Sequence, residues 1–203
     1  MAVGRPRAFD KEKALDDALQ VFLRKGYEGA SLAELTDAMG INPPSLYAAF
    51  GNKEGLFRLA LDRYTDAYSA VAEAAMAAPT AREATAIFLR GTIDSQTRKN
   101  GPGCLLVHGA LACAESSDAI KQELTSRRSD NEAMLRARYV RAVKEGDLPA
   151  GTDTAALARY VSTMLQGTAV QAASGVARDE LYDLIEMTLQ AFPAAAPRKK
   201  KKG

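Results

Sequence analysis

The chain has 203 residues, 47% hydrophobic and 26% charged, enough apolar content for a packed core and too much for a disordered chain. Its formal charge of +2 rests on Arg198 and Lys199 to Lys202; without these five it is −3, so bulk charge excludes no class of partner for the folded part. Two cysteines without an apolar leader argue against a disulfide scaffold and secretion, and no apolar run reaches the ~18 residues of a membrane span, so a cytoplasmic protein without a membrane segment is expected.

Residues 1–8 hold "GRPR", which puts Arg5 and Arg7 on a flexible basic arm, with a proline keeping the spacing extended. Such an arm can enter a minor groove or remain a solvated tail. Asp10 caps a first helix with Ala14, Leu15, Ala18, Leu19, Phe22 and Leu23 on one face, ended by Gly26. Ser31 caps a second, barely two turns long, with Leu32, Leu35 and Met39 buried and Gly40 closing it. Asn42 caps a third. Pro43 and Pro44 fall where helical N–H groups lack partners anyway, so they mark a start rather than a break. Gly51 closes that element and Asn52 caps the next.

From Lys53 to about Ala78 the spacing predicts one longer helix, ended by Pro79, and Thr80 starts another that runs to about Lys99. "NGPG" breaks the chain; "CLLVHGALACA" then predicts a short buried helix. Asp118 to Lys144 is a long helix, and 153–173 and 179–192 are two final ones. No segment alternates at the period of a strand and no repeat is evident. The expected fold is all-α with about nine helices: an arm (1–8), a three-helix helix-turn-helix domain (9–52), a larger helical domain (53–193) and a basic tail (194–203). That tail is a solvated segment by default, with sequence-independent attraction to phosphate as the alternative.

Two short helices joined by "GIN" after a supporting helix have the layout of a helix-turn-helix, although three core helices of a plain bundle share it. The faces of the third helix discriminate. Leu46 and Phe50 fall together on a bulky side, flanked by Pro43 and Tyr47, and Pro44, Ser45, Ala48 and Ala49 make the other side uniformly small. A small face without long charged side chains suits a helix lying against the floor of a major groove. Ala and Pro can touch thymine methyls, and Ser45 can bond a base edge or phosphate. Tyr47, Lys53, and Ser31 with the amides that start the second helix, are placed for phosphates.

These residues resemble the tetracycline-repressor (TetR) family of transcriptional regulators. The similarity is densest from Phe9 to Leu61, through "FLRKGYEGASLAELTDAMGI" and "PSLYAAFGNKEGLF", with Leu46, Tyr47, Phe50, Lys53, Glu54 and Leu56 at the family's characteristic positions. The resemblance implies a homodimer with an N-terminal DNA-binding head, and a C-terminal body that binds a small molecule and loosens the hold on a double-stranded operator. It implies phosphate contacts from Tyr47, Lys53 and Ser31, a third helix in the major groove, and a dimer interface built from 153–173 and 179–192. Many members carry histidine or larger polar groups after the tyrosine, where this chain has Ala48 and Ala49. Base specificity then falls to methyl contacts, to Ser45 or to the Arg5/Arg7 arm.

A regulator needs an effector cavity, and Tyr64, Tyr68, Phe88, His108, Met134, Met164 and Gln166 are the candidate lining, with ordinary core packing as the alternative for each. Cys104 and His108, four apart, share a helical face, which raises a metal half-site or a thiol activated by imidazole. Cys113 is half a turn out of phase with Cys104, and two ligands do not make a zinc site; no metal or other cofactor is expected. Some relatives sense electrophiles or oxidants through a cysteine in this part of the body, which implies a redox- or electrophile-sensing repressor switched by Cys104 as an alternative. His108 has no acidic partner nearby in sequence, so enzymatic acid–base chemistry is not expected. An all-α protein-interaction module without DNA binding is the alternative of another class.

Overall fold

The structure is a computed structural model describing residues 9–98, 104–111 and 117–193; the arm with Arg5 and Arg7, Cys113 and the basic tail lie outside the described residues. Among the described residues every regular element is a helix. The first, α1 (Lys11–Gly29), starts where the Asp10 carboxylate accepts from the amides of Glu12 and Lys13 at 3.0 and 3.1 Å. Gly26 interrupts it at φ 68°, a left-handed conformation that a side chain would strain, and there the chain turns toward α2 (Leu32–Met39). Asn42 caps α3 (Pro43–Phe50) by accepting from the Ser45 amide at 2.9 Å, with both prolines in its first turn. Asn52 does the same for α4 (Lys53–Asp66) through the Gly55 amide at 2.7 Å. Each such cap is worth about 1 kcal/mol and fixes where a short helix begins.

The helix expected over 53–78 is two helices. It ends at Asp66, turns through Ala67 and Tyr68, and resumes as α5 (Ser69–Ala77). No glycine or proline marks the turn, and the apolar spacing runs straight through it. What holds it is a set of local side-chain contacts: the Tyr68 ring packs on Tyr64 at 4.9 Å, its hydroxyl donates to that of Tyr64 at 2.9 Å, and the Ser69 hydroxyl donates to the Asp66 carbonyl at 2.8 Å. The body continues with α6 (Ala81–Gln96), α7 (Leu105–Leu111), α8 (Asp118–Glu145), α9 (Thr154–Ala173) and α10 (Arg178–Gln190). Of these, α6 stops three residues short of the expected Lys99, and α10 runs from one residue before the expected start to two before the expected end.

Two hydrophobic cores divide the molecule. One joins α1, α2, α3 and α4 to α7 and the start of α8, with Phe22, Leu35, Leu46, Leu56, Phe57, Leu105 and Ile120 nearly fully buried. Phe57 takes edge-on contacts from Phe22 at 4.9 Å and Tyr27 at 5.1 Å. The other packs α5, α6, α9 and α10 around the second half of α8, centred on Leu89, Ile93, Leu135 and Tyr139. Packing is therefore continuous across 52/53: α4 closes the core of the helix-turn-helix, and α7 rests on it. At roughly 1.5–3 kcal/mol per fully buried large side chain, this shared core ties the head to the body far more firmly than a linker would.

Candidate functional site

On α3 the residues turned to solvent are Pro43, Pro44, Tyr47 and Ala48, with Tyr47 48% exposed; Leu46 and Phe50 point inward. Ser45 is half-buried. Ala49, expected on the outer face, is half-buried and packs on the first core. Helical geometry gives the reason: Ala49 flanks the Leu46–Phe50 axis by about 80° on one side, as Tyr47 does on the other, and only the longer side chain clears its neighbours. The solvent-facing stripe is thus Pro43, Pro44, Tyr47 and Ala48, bordered by Ser45.

The Ser31 hydroxyl accepts from the Glu34 amide at 3.2 Å, and the Glu34 carboxylate takes back the Ser31 amide at 3.1 Å, a complete capping box. Lys25 pairs with the same carboxylate, and this pairing, with the Ser31 bonds, lowers the Glu34 pKa from 4.5 to about 2. Glu34 thus occupies part of the anion site expected at this helix start, leaving the amides of Leu32 and Ala33 as the open donors by helix geometry. The Lys53 ammonium lies 4.5 Å from the centroid of the Tyr27 ring, and partial burial lowers its pKa. The sharp passage from α3 into α4 needs Gly55: a Cβ there would stand 2.3 Å from the Phe50 carbonyl oxygen.

At the far end of α4, Tyr64 and Tyr68 reach a cavity of about 130 Å³ between α4, α5, α6, α8 and α9, which α7 closes on one side. Five of the sequence-predicted residues line it: Tyr64, Tyr68, Phe88, Cys104 and Gln166. His108, Met134 and Met164 do not. Met134 packs against the second core, and Met164 is turned about 100° from Leu165, which does face the cavity. Cys104 and His108 do not act as a pair: the thiol is bonded to Tyr64, and burial rather than the thiol shifts His108. The Cys104 Sγ accepts from the Tyr64 hydroxyl at 3.4 Å, completing a chain from Tyr68 through Tyr64 to the thiol. Burial raises the pKa of all three groups, so each is neutral at pH 7. Burial also lowers the His108 pKa, which keeps its imidazole neutral. Among the described residues no group of three or more His, Cys, Asp or Glu is arranged to hold a metal.

Thr92, Gln96, Asn131 and Ser162 also line the cavity and were missed from the sequence. Gln96 and Ser162 did leave a signal: each is a polar residue at a position where the helical period calls for an apolar one, Gln96 after Leu89 and Ile93, Ser162 after Ala158.

Ion pairs bind α4 on both sides. Arg63 pairs with Glu12 at 2.6 Å and with Asp16, both on α1. Arg58 reaches Glu123 on α8 at 2.6 Å, and Arg127 of α8 pairs with Asp62. A helix-turn-helix with a small exposed second helix, rigidly joined through one helix to an all-helical body that holds a cavity, defines the class of one-chain transcriptional regulators.

Residues 14–60 match the family model for bacterial regulatory proteins of the tetR family. The chain is 34% identical over 193 residues to the HTH-type transcriptional repressor ComR of Escherichia coli (strain K12), covering 94% of this chain and 92% of that one. It is 56% identical to the repressor BdcR of the same organism over 61 residues, 30% of this chain and 31% of that one. Among solved structures, a cysteine mutant of the TetR family transcriptional regulator CifR, complexed with 26 bp double-strand operator DNA, is 45% identical, with a TM-score of 0.89, 94% of this chain and 100% of that chain covered. The chain belongs to the TetR family of transcriptional regulators, DNA-binding proteins rather than enzymes. Among the described residues no helix is long and apolar enough to cross a membrane.

Proposed function

We propose that the protein is a repressor that binds a two-fold-symmetric operator as a homodimer and releases it when a small molecule enters the cavity. One observation carries this: Lys53, at the DNA end, and Tyr64, in the cavity wall, lie on the same helix, about 16 Å apart at 1.5 Å per residue. A ligand that displaces Tyr64 or Tyr68 moves a rod whose other end carries the α3–α4 turn. The pairs from Arg63 of α4 to Glu12 and Asp16 of α1 pass that motion to the helix-turn-helix domain. CifR was solved on its operator, and ComR and BdcR are repressors, which supports the same role here.

On the DNA side, Tyr47 and Lys53 hold phosphates, the amides that start α2 hold another, and Pro44, Ser45 and Ala48 meet base edges, with the Arg5/Arg7 arm reaching the minor groove. Residues 1–58 carry eight Lys/Arg and eight Asp/Glu, so affinity comes from placement rather than net charge. The dimer forms through α9 and α10, where Tyr160, Val170 and Met187 expose apolar surface, Met187 by 65%. The test uses a duplex selected from random-sequence DNA by the wild-type protein. Tyr47→Ala and Lys53→Ala each weaken its binding about tenfold; unchanged binding in both would move the contacts off these residues, and a selection that enriches no duplex favours an interaction module that does not read DNA.

Cys104 supports a second function, a switch thrown by electrophiles, because its thiol faces the cavity. Burial holds that thiol protonated, which slows such chemistry and favours the non-covalent function. Release of the duplex by a mild electrophile from the wild type, and not from Cys104→Ser, would reverse that preference.

A further inference from the structure

The cavity's polar groups specify its ligand. Gln96 is 1% exposed, and its Nε2 has no hydrogen-bond partner; its Oε1 stands 3.4 Å from the Thr168 hydroxyl, whose proton goes to the Leu165 carbonyl at 2.8 Å. The Ser162 hydroxyl on α9 is also buried without a partner, and both residues line the cavity. A buried amide donor without a partner costs free energy that a correctly placed acceptor returns. The wall around them is mainly apolar or aromatic: Phe88, Leu106, Val107, Leu165 and the two tyrosine rings.

We infer that the cavity binds a compact, uncharged, mostly apolar molecule of about one ring in size, carrying one carbonyl-type oxygen that accepts from Gln96 Nε2. This rests on the cavity being the effector site. Size follows from the volume of about 130 Å³, close to that of an engineered cavity of about 150 Å³ that takes benzene. Neutrality follows from the lining. Among the described residues it contains no carboxylate, and the one cation, Arg128, already donates to the Leu106 carbonyl and to the Thr125 hydroxyl at 3.1 Å. The desolvation that keeps Tyr64, Tyr68 and Cys104 neutral opposes an anionic ligand equally.

Three probes of nearly one shape test this: acetophenone, α-methylstyrene, in which a methylene replaces the oxygen, and benzoate. Binding is read by calorimetry on the protein without DNA. The wild type should bind acetophenone about tenfold more tightly than either of the others. Gln96→Met should bring acetophenone and α-methylstyrene within about twofold, and Ser162→Ala, the smaller change, should keep the wild-type order if Gln96 fails to tolerate replacement. Equal affinity of the wild type for acetophenone and α-methylstyrene, tighter binding of benzoate, or no binding of any probe overturns the inference. Operator release is measured separately: acetophenone that binds with the stated preference and leaves the operator held upholds this ligand class and counts against release by effector.

Discussion

At the scale of the residue, what decides function is which polar groups are already spoken for. Ser31 is expected to offer its hydroxyl to phosphate, and in the structure that hydroxyl accepts from the Glu34 amide and donates to the Glu34 carboxylate at 2.9 Å. The spacing of Ser31 and Glu34 is the sequence signature of a capping box, so this bonding is legible in the sequence. It has a pH consequence. Because the Glu34 pKa is depressed in the folded state, its contribution to stability is present above 4.5 and is lost as pH falls toward about 2. Thermal unfolding of Glu34→Gln should therefore vary less over that window than wild type; identical pH profiles would show that the bonds of Glu34 add nothing. Gly55 makes a second prediction. An added Cβ would meet a backbone oxygen at 2.3 Å, so Gly55→Ala should lower stability by about 1–3 kcal/mol, measured by chemical denaturation, and weaken DNA binding with it.

At the scale of the element, caps and glycine stops placed the starts of α1 to α4 within a residue, because those signals are local: Asp10, Ser31, Asn42 and Asn52 each bond an amide within three residues. The turn between α4 and α5 was not legible, since it depends on Tyr68 meeting Tyr64 in a particular packing rather than on any breaker. Cavity residues divide the same way. Tyr64, Tyr68 and Phe88 are legible by residue type, whereas Gln96 and Ser162 show only as polar breaks in an apolar stripe, and that they meet at one cavity depends on α6 and α9 both lining it. Helix α4 carries the element-scale prediction. A double-mutant cycle of Asp62→Asn and Arg127→Ala should give a coupling of about 0.5–1 kcal/mol in unfolding free energy, small because the carboxylate side of the pair is half-exposed. The coupling should shrink in high salt; a salt-insensitive value would mean that packing, not charge, joins α4 to α8.

At the scale of the whole molecule, the two cores explain how one chain can both grip DNA and respond to a cavity ligand: α4 belongs to the first core along its length and to the cavity at its end. Dimerisation through α9 and α10 is what the resemblance implies, and the exposed Val170 and Met187 on those helices are where it can be tested. Replacing Val170, 44% exposed, and Met187 together by glutamate should halve the mass seen by light scattering; an unchanged mass would move the interface elsewhere. Loss of the dimer should also cut operator affinity, since half-sites about 34–36 Å apart need two coupled heads. The most direct measurement is the affinity of Ala48→Glu for the duplex that the wild type selects from random DNA. Ala48 lies at the outermost point of α3, free of the core, so a carboxylate there should leave helicity and dimer mass unchanged and weaken binding at least 100-fold by meeting the groove's negative charge. Wild-type affinity in that variant would contradict a third helix seated in the major groove.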